Sequence, residues 1–474
     1  MKEIVIAILA KDKGYCLDFY LTCILNQTYD KKKIHLWIRT NDNNDNTESI
    51  LNEFVKTHGE DYLSVYYNND PILSHLKDYD EHEWNPTRFN ILADIRQSSI
   101  NYAIEKNAHY FVVDCDNFIT KTLLSDLYNT RSLGCIGPML FLSPYHYYSN
   151  FHNVADIATT YFAEQPEYYT ILGKKIKGKI EVDTLHCTYF INNNILKDVE
   201  YSDGGDRYEY AIFSDTLRRK GIPQYLDNSK FYGFLFLSDQ IKLDFSAYIE
   251  KYWKSEYNLM INTEGYYDFV EIGTCDFETI IGSNNPGKGI SVEALPYYFN
   301  NLPDVSGVKK INSAISDENG EISFWWVKPE TIKKFNLPWW VKGSSCIGGP
   351  HEIVLNQINR QGINVHHSDI FTEDKIKVKS WKTLAKENNI KHATIIKLDT
   401  EGHESKILQN MYEDMLERSD FRPSVIKFEQ NKLATDTDID IVISRISSLG
   451  YAYERISRND AELRYRSDSS FLIH

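Results

Sequence analysis

The chain has 474 residues and a formal net charge of −15, a length typical of two or three domains. Its composition, 42% hydrophobic and 25% charged, is that of a globular protein rather than a fibrous or disordered one. The acidic charge and the absence of a basic run longer than Lys31–Lys33 exclude an ordinary nucleic-acid binder, and no stretch approaches the ~18–20 apolar residues of a membrane span.

The first apolar stretch, Ile4–Ala10, predicts a buried strand rather than a secretory signal, because Glu3 precedes it and charged residues follow it without a small-residue cleavage site. Seven cysteines are scattered without a CxxC pair, which favours reduced thiols over a disulfide framework or a zinc site. We therefore expect a cytoplasmic protein without a membrane span.

The first half of the chain alternates strands and helices, the pattern of a parallel α/β sheet. The predicted elements are strands at Ile4–Ala10, His35–Arg39, Tyr110–Val113 and Leu185–Ile191, and helices at Thr47–His58 and Asn90–Glu105. Thr47, after Asn46, is the expected N-cap of the first helix. The apolar strand before Asp114-Cys115-Asp116 places two carboxylates at a strand end, where open α/β sheets bind ligands.

Two carboxylates one residue apart can hold a hard divalent cation, which would neutralise a diphosphate leaving group. An isolated Asp-x-Asp is a weak signal, since acidic residues are common in turns. Several further segments occur in the order found in the collagen galactosyltransferase family, which residues 4 to about 237 resemble. They are Leu9-Ala10-Lys11, Thr40–Thr47, Trp84–Phe89, Ile95-Arg96-Gln97, Val112–Asn117, Pro138-Met139-Leu140, Tyr148–Phe151 and Leu185–Ile191.

That resemblance implies a GT-A type fold, a UDP-sugar donor and Mn²⁺ or Mg²⁺ held by Asp114 and Asp116. His186 is a candidate third ligand, although a strand histidine is more often a core residue. The residues expected to contact the donor are Ala10, Lys11, Asn43, Arg88, Arg96 and Asp114. Arg96 on the long helix has a structural ion pair as its alternative role.

The sequence departs from the family pattern at two places. Asn41 replaces the first aspartate of the Asn-rich loop, and Tyr208-Glu209 replaces a pair of aspartates. One carboxylate thus remains before the helix that ends near Arg218, and an inverting transfer needs one carboxylate as its base. Glu209 is the candidate, with a helix-start glutamate as the structural alternative.

The second half begins another α/β pattern near residue 250, after an aromatic segment without clear periodicity, Leu237–Asn262. Its predicted strands are Phe269–Ile272, Gly289–Glu293, Lys309–Ser316, Thr394–Leu398 and Val425–Glu429, and its helices are Tyr297–Leu302 and Glu404–Met411. Gly273 allows a tight turn after the first strand. Glu293 ends the second strand, where an acid can accept hydrogen bonds from ribose hydroxyls.

A third apolar strand runs into Lys397-Leu398-Asp399-Thr400-Glu401-Gly402-His403-Glu404. With the first two strands, this segment resembles the FkbM methyltransferases over about residues 263 to 474. Cys275 and Phe277 stand where the wider pattern has glycines, which argues against a pyrophosphate loop. The resemblance implies S-adenosylmethionine as the methyl donor. The residues expected to contact it are Glu271, Gly273, Thr274, Glu293, Ala314 and Asp369, with Asp399 and Glu401 as catalytic carboxylates.

His367-Ser368-Asp369 also fits part of an iron-oxygenase facial triad, but the surrounding α/β pattern lacks the all-β fold that such a site requires. We therefore predict two α/β domains, residues 1–250 with a GT-A fold and 251–474 with a Rossmann-like class I methyltransferase fold. The expected enzyme adds a sugar, galactose or glucose, and O-methylates a glycan hydroxyl. Its acceptor is a glycan, a glycoprotein or a hydroxylysine-type group. The alternatives are an inactive glycan-binding domain and a methyltransferase that acts on protein.

Overall fold

The computed structural model describes residues 2–72, 85–142, 148–153, 166–238, 241–275, 279–283, 286–347, 349–363, 365–418, 421–430 and 436–465. Trp84 and Phe277, named above, lie outside these residues. The chain divides into two compact units between Ile261 and Asn262. None of the helices within the described ranges has the length and apolar character needed to cross a membrane.

The first unit is built on an eight-stranded sheet of order β3-β2-β1-β4-β10-β6-β11-β8, with β10 antiparallel to both of its neighbours. Its strands are β1 Ile4–Ala10, β2 Ile34–Thr40, β3 Ser64–Asn68, β4 His109–Val113, β5 Asn117–Ile119, β6 Cys135–Pro138, β7 Phe151–His152, β8 Lys179–Val182, β9 Thr184–Leu185, β10 Thr188–Ile191, β11 Gln224–Asp227 and β12 Gly233–Leu235. Two-stranded sheets, β12-β5 and β7-β9, flank it.

The helices of the first unit are α1 Leu17–Leu25, α2 Thr47–His58, α3 Pro86–Glu105, α4 Leu123–Asn129, α5 Pro166–Leu172, α6 Glu209–Arg219, α7 Phe245–Tyr248 and α8 Lys254–Met260, with a π-helical segment at Ile249–Trp253. Helix α3 begins at Pro86, before the expected Asn90, because proline suits the first helical turn and Asn85 caps it. Asn46, not Thr47, is the N-cap residue of α2, because Thr47 is already the first residue of the helix, and Thr47 Oγ1 accepts a hydrogen bond from Lys13 N instead.

Both faces of the first sheet are buried. Alternate residues of β1 enter different apolar clusters, with Ile4, Ile6 and Ile8 in one and Val5 and Ala7 in the other. Successive side chains of a strand point to opposite faces, so this division means that helices cover both sides. Trp253 and Met260 belong to the first of these clusters, which explains why the unit extends beyond the expected boundary at residue 250.

The second unit contains a seven-stranded sheet of order β15-β14-β13-β20-β21-β23-β22, in which β23 is antiparallel to its neighbours. A four-stranded sheet, β16-β19-β17-β18, accompanies it. The strands are β13 Tyr266–Ile272, β14 Gly289–Glu293, β15 Val308–Asn312, β16 Ala314–Ser316, β17 Gly320–Val327, β18 Cys346–Ile347, β19 Phe371–Ser380, β20 His392–Leu398, β21 Val425–Glu429, β22 Tyr451–Arg455 and β23 Asp460–Tyr465.

The helices of the second unit are α9 Pro296–Asn301, α10 Pro329–Lys334, α11 Glu352–Arg360, α12 Trp381–Glu387, α13 Glu404–Glu417 and α14 Asp436–Ser447. The single strand expected at Lys309–Ser316 is wrong: the chain breaks at Ser313, so β15 and β16 belong to different sheets. The two α/β domains expected from the sequence are confirmed, and the four-stranded sheet is an addition to the predicted elements.

Candidate active sites

In the first unit, Asp114 follows β4 at the carboxyl edge of the sheet. Its backbone N–H donates to Cys187 O, 3.0 Å away, beside the neighbouring strand β10. Its carboxylate accepts two hydrogen bonds from Arg96 Nη2, at 3.0 and 3.2 Å. Arg96 lies on α3 and is 5% exposed, so a buried guanidinium neutralises this carboxylate.

Arg96 also joins Asp114 to Glu209, the first residue of α6. Arg96 Nε lies 3.3 Å from Glu209 Oε1, and Glu209 is 4% exposed. Burial raises the pKa of both carboxyl groups, while the charge of Arg96 acts in the opposite direction. Arg96 is thus an ion-pair partner of both the candidate metal ligand, Asp114, and the candidate base, Glu209. The structural role and the donor-binding role predicted for Arg96 therefore belong to the same site.

Asp116 is paired with a residue that the sequence analysis did not select. Lys13 Nζ lies 2.8 Å from Asp116 Oδ2. Burial acts to lower the pKa of Lys13, but Asp116 outweighs it and the pKa is raised, so Lys13 remains a cation. Lys13 lies in a short charged turn after β1 that also contains Lys11. The sequence alone does not tell which of these two lysines contacts Asp116.

Of the expected donor residues, Ala10 is the last residue of β1, and Lys11 and Asn43 lie in the loops that follow β1 and β2, on the same sheet edge as Asp114. Asn43 Oδ1 accepts from Asp12 N at 3.0 Å, and Asn43 Nδ2 donates to Thr40 Oγ1 at 2.7 Å. Asn43 thus ties the two loops together. Arg88 lies in the first turn of α3, where its backbone N–H donates to Asn85 Oδ1.

His186 lies between β9 and β10 and is 3% exposed. Its ring stacks on His152 with centroids 4.9 Å apart, and Nε2 has no hydrogen-bond partner among the residues described. Burial lowers its pKa well below the usual value, so the imidazole is neutral and able to bind a metal. However, its ligand atoms do not form a compact three-ligand group with Asp114 and Asp116 within the described part of the chain.

The second unit contains a cavity of about 890 Å³ at the carboxyl edge of its large sheet. This volume lies toward the upper end of the roughly 300–1,000 Å³ range of ligand pockets, which leaves room for more than one small substrate. Of the predicted residues, the cavity is lined by Gly273, Thr274, Glu293, Ala314, Asp399 and Glu401.

Glu271 and Gly273 shape the loop after β13. The fully buried Glu271 accepts from Ile280 N at 2.7 Å and lies 3.7 Å from Lys397 Nζ. Gly273 has a φ of +80°, and a Cβ there would lie 1.8 Å from Asp399 O. The glycine is therefore required by the close approach of the loop that follows β20.

Glu293 ends β14 and is 5% exposed. One oxygen accepts from Cys275 N and the other from Leu295 N, both at 2.8 Å, and Thr274 Oγ1 lies 3.4 Å from the carboxylate. Burial raises the pKa of Glu293, with these hydrogen bonds opposing the shift. The carboxylate thus fixes the cavity wall that it lines.

Asp399 and Glu401 follow β20. Single carboxylate oxygens of Asp399, Glu401 and Glu429 lie within 4.8 Å of one another. The loop that contains Asp399 and Glu401 is held by Glu404, whose carboxylate accepts hydrogen bonds from Thr400 N at 2.6 Å and Gly402 N at 3.0 Å. Burial raises the pKa of Glu404 to about 7.

Asp369 does not line the cavity. It is exposed and caps the short turn His367–Asp369 by accepting from His366 N at 3.2 Å, so local turn formation explains it. The cavity also contains His351, which no sequence pattern indicated because it precedes α11 far from any motif.

Comparisons with known proteins agree with this division. The profile of "Glycosyltransferase family 25, N-terminal domain" matches residues 1–252, and that of "Methyltransferase FkbM domain" matches residues 265–453. Mouse procollagen galactosyltransferase 2 is 27% identical over 240 residues, 48% of this chain and 38% of that protein. Mouse inactive glycosyltransferase 25 family member 3 is 24% identical over 244 residues, 50% and 41% respectively. The chain thus spans about two fifths of the length of these relatives.

Two solved structures have a distant likeness to the chain. S. aureus TarS 1–349 in complex with UDP has a TM-score of 0.32 and 12% identity, covering 55% of this chain and 69% of that one. The mannosyltransferase PcManGT from Pyrobaculum calidifontis, in complex with GDP-Man and Mn²⁺, has a TM-score of 0.32 and 11% identity, covering 55% and 62%.

Proposed function

The chain belongs to glycosyltransferase family 25 through its first unit and carries an FkbM methyltransferase domain in its second, and from this premise we propose a bifunctional enzyme. Its first unit transfers galactose or glucose from a UDP-sugar to a hydroxyl group. Its second unit O-methylates a glycan hydroxyl with S-adenosylmethionine. The single observation that carries the proposal for the first unit is the buried arrangement of Asp114, Arg96 and Glu209.

For sugar transfer, Asp114 and Asp116 would hold Mn²⁺ or Mg²⁺, which supplies charge neutralisation for the departing diphosphate. Paired carboxylates suit these hard cations, and the ammonium of Lys13 competes for Asp116. Glu209 takes the proton of the acceptor hydroxyl while the acceptor oxygen attacks the anomeric carbon from the face opposite the diphosphate. Inversion follows from that single displacement.

For methyl transfer, the fit of S-adenosylmethionine rests on the cavity itself. Its size suffices for the cofactor and an acceptor, Glu293 offers a buried carboxylate for a ribose diol, and Asp399 and Glu401 supply negative charge near a sulfonium. The acceptor that we propose for the enzyme is a glycan, a glycoprotein or a hydroxylysine-type group. This proposal follows by analogy with the procollagen galactosyltransferases among the relatives of the first unit.

The competing function is a first unit that binds glycans without catalysis. Two observations favour it: Lys13 forms an ion pair with Asp116, the second carboxylate of the Asp-x-Asp segment, and one of the relatives is named inactive. Such a unit would bind a UDP-sugar without turning it over.

We test the proposal by measuring hydrolysis of UDP-galactose and UDP-glucose by the whole chain with Mn²⁺. Asp116→Ala should abolish turnover because it removes a metal ligand. The control Asp198→Ala, which removes an ion-paired carboxylate from a surface turn, should retain it. Full turnover in EDTA would contradict the metal role, and donor binding without turnover would support the competing function.

A further inference from the structure

The cavity of the second unit contains a buried histidine that contacts a catalytic candidate. His351 directly precedes α11 and is 2% exposed. Its Nε2 lies 3.1 Å from Glu401 Oε2, a hydrogen-bond distance. Both residues line the cavity. The pair brings together two segments 50 residues apart in the sequence, so it is a product of the tertiary fold.

The surroundings of His351 determine which nitrogen carries the proton. An ionised carboxylate only accepts hydrogen bonds, so Nε2 carries the hydrogen that Glu401 accepts. The other nitrogen, Nδ1, is buried and has no hydrogen-bond partner among the described residues. A hydrogen on Nδ1 would therefore be a buried N–H without an acceptor, which is costly. The buried, unpartnered Nδ1 therefore favours the tautomer that carries its hydrogen on Nε2, toward Glu401.

The backbone at Glu401 is held in an uncommon conformation. Glu401 has a φ of +52°, a left-handed value that costs energy in a residue other than glycine. Glu404 fixes both sides of the position by accepting from Thr400 N and Gly402 N. The loop thus fixes the backbone at Glu401, and His351 holds the Glu401 carboxylate.

We propose that His351 is a positioning residue for methyl transfer, whose Nε2–H holds the Glu401 carboxylate in place to accept the proton of the acceptor hydroxyl. This inference rests on the proposed methyltransferase function. In the reaction the acceptor oxygen forms its bond to the methyl carbon, the S–CH₃ bond breaks with its electron pair passing to sulfur, and the hydroxyl proton passes to Glu401.

Kinetics of the whole chain test this role, with labelled S-adenosylmethionine and a panel of methyl β-galactoside, methyl β-glucoside and methyl β-xyloside. His351→Leu should lower kcat about 10- to 100-fold, as expected for a misplaced catalytic group, and change KM for S-adenosylmethionine less than about twofold. His351→Gln, whose amide can still donate near the position of Nε2, should restore most of the rate. The control His367→Leu alters an exposed histidine outside the cavity lining. Equal rates for His351→Leu and wild type, or no rescue by His351→Gln, would overturn the proposal.

Two further measurements keep the inference separate from the proposed function. In ¹⁵N-histidine NMR of the whole chain, the signals lost in His351→Gln should belong to a ring that carries a hydrogen on Nε2. A ring that carries its hydrogen on Nδ1 and none on Nε2 would overturn the proposal even if no glycoside is methylated. Methylation that requires added Mg²⁺ after EDTA treatment would also overturn it, because Glu401 would then bind metal. Failure of S-adenosylhomocysteine to bind would instead refute the proposed function.

Discussion

Glu209 is the residue on which the proposed stereochemistry depends. Its burial raises its pKa and makes it a stronger base than an exposed carboxylate. Glu209→Gln should therefore lower sugar transfer about 10²-fold or more, while affinity for UDP changes little. Transfer rates and UDP titration calorimetry check this. Unchanged transfer, or a product that retains the anomeric configuration of the donor, would remove Glu209 from the base role.

Glu293 should contribute both to binding and to stability. Glu293→Ala removes the acceptor proposed for the ribose hydroxyls and leaves Cys275 N and Leu295 N without their partner. We expect S-adenosylhomocysteine to bind more weakly by about 1–3 kcal/mol, and the second unit to unfold at lower denaturant concentration. Glu293→Gln, which keeps one acceptor oxygen, should lose less in both. Unchanged affinity of Glu293→Ala for S-adenosylhomocysteine would show that this carboxylate does not bind the ribose.

At single residues, the sequence indicated the carboxylates better than their partners. Glu293 is the last residue of an apolar strand, and Asp114 and Asp399 each directly follow one, so a local pattern suffices to find them. Lys13 and His351 reach their carboxylates from distant loops. No period or motif encodes such a contact, which depends on how the loops turn in three dimensions.

Among the structural elements, the loop from Asp399 to Glu404 has a property that pH should reveal. The pKa of Glu404 is raised from 4.5 to about 7, so the native state binds more protons than the unfolded state between these values. Stability from this group is then complete below about pH 4.5 and is lost as pH rises through 7, by about 3 kcal/mol. The difference in unfolding free energy between wild type and Glu404→Gln should fall by this amount from pH 4.5 to 8 in denaturant titrations. A pH-independent difference would show that Glu404 has an ordinary pKa.

The strands and helices with strong patterns were predicted closely, and the failures have local causes. Helix α2 and strands β1, β14 and β21 have the predicted bounds. The four-stranded sheet was missed for two different reasons. Strand β17 joins exposed charged residues to an aromatic run without a single period. Strand β19 does alternate buried Ile376 and Val378 with lysines, a strand pattern that the prediction omitted. The segment after residue 237 lacked periodicity, yet α7 and α8 form there by packing Tyr248 and Met260 against the first core.

For the whole molecule, the position of the division between units is testable with fragments. Fragment 1–250 lacks Trp253 and Met260, which are buried in the first unit. Since burying a large apolar side chain contributes about 1.5–3 kcal/mol, fragment 1–261 should be more stable than fragment 1–250 by at least about 3 kcal/mol. Urea unfolding followed by tryptophan fluorescence and circular dichroism measures this difference. Equal stability would place the residues after 250 outside the first core.

The strand orders of the two sheets also constrain how the protein folds during its synthesis on the ribosome. Strand β10 lies between β4 and β6, and β23 lies between β21 and β22, so in each unit a later segment must enter between strands that were synthesised before it. The first unit cannot complete its sheet until β10 and β11 have left the exit tunnel. The second unit cannot complete its sheet until Asp460–Tyr465 has been synthesised. Until then the edge of β21 stays exposed to chaperones or to pairing with other nascent chains.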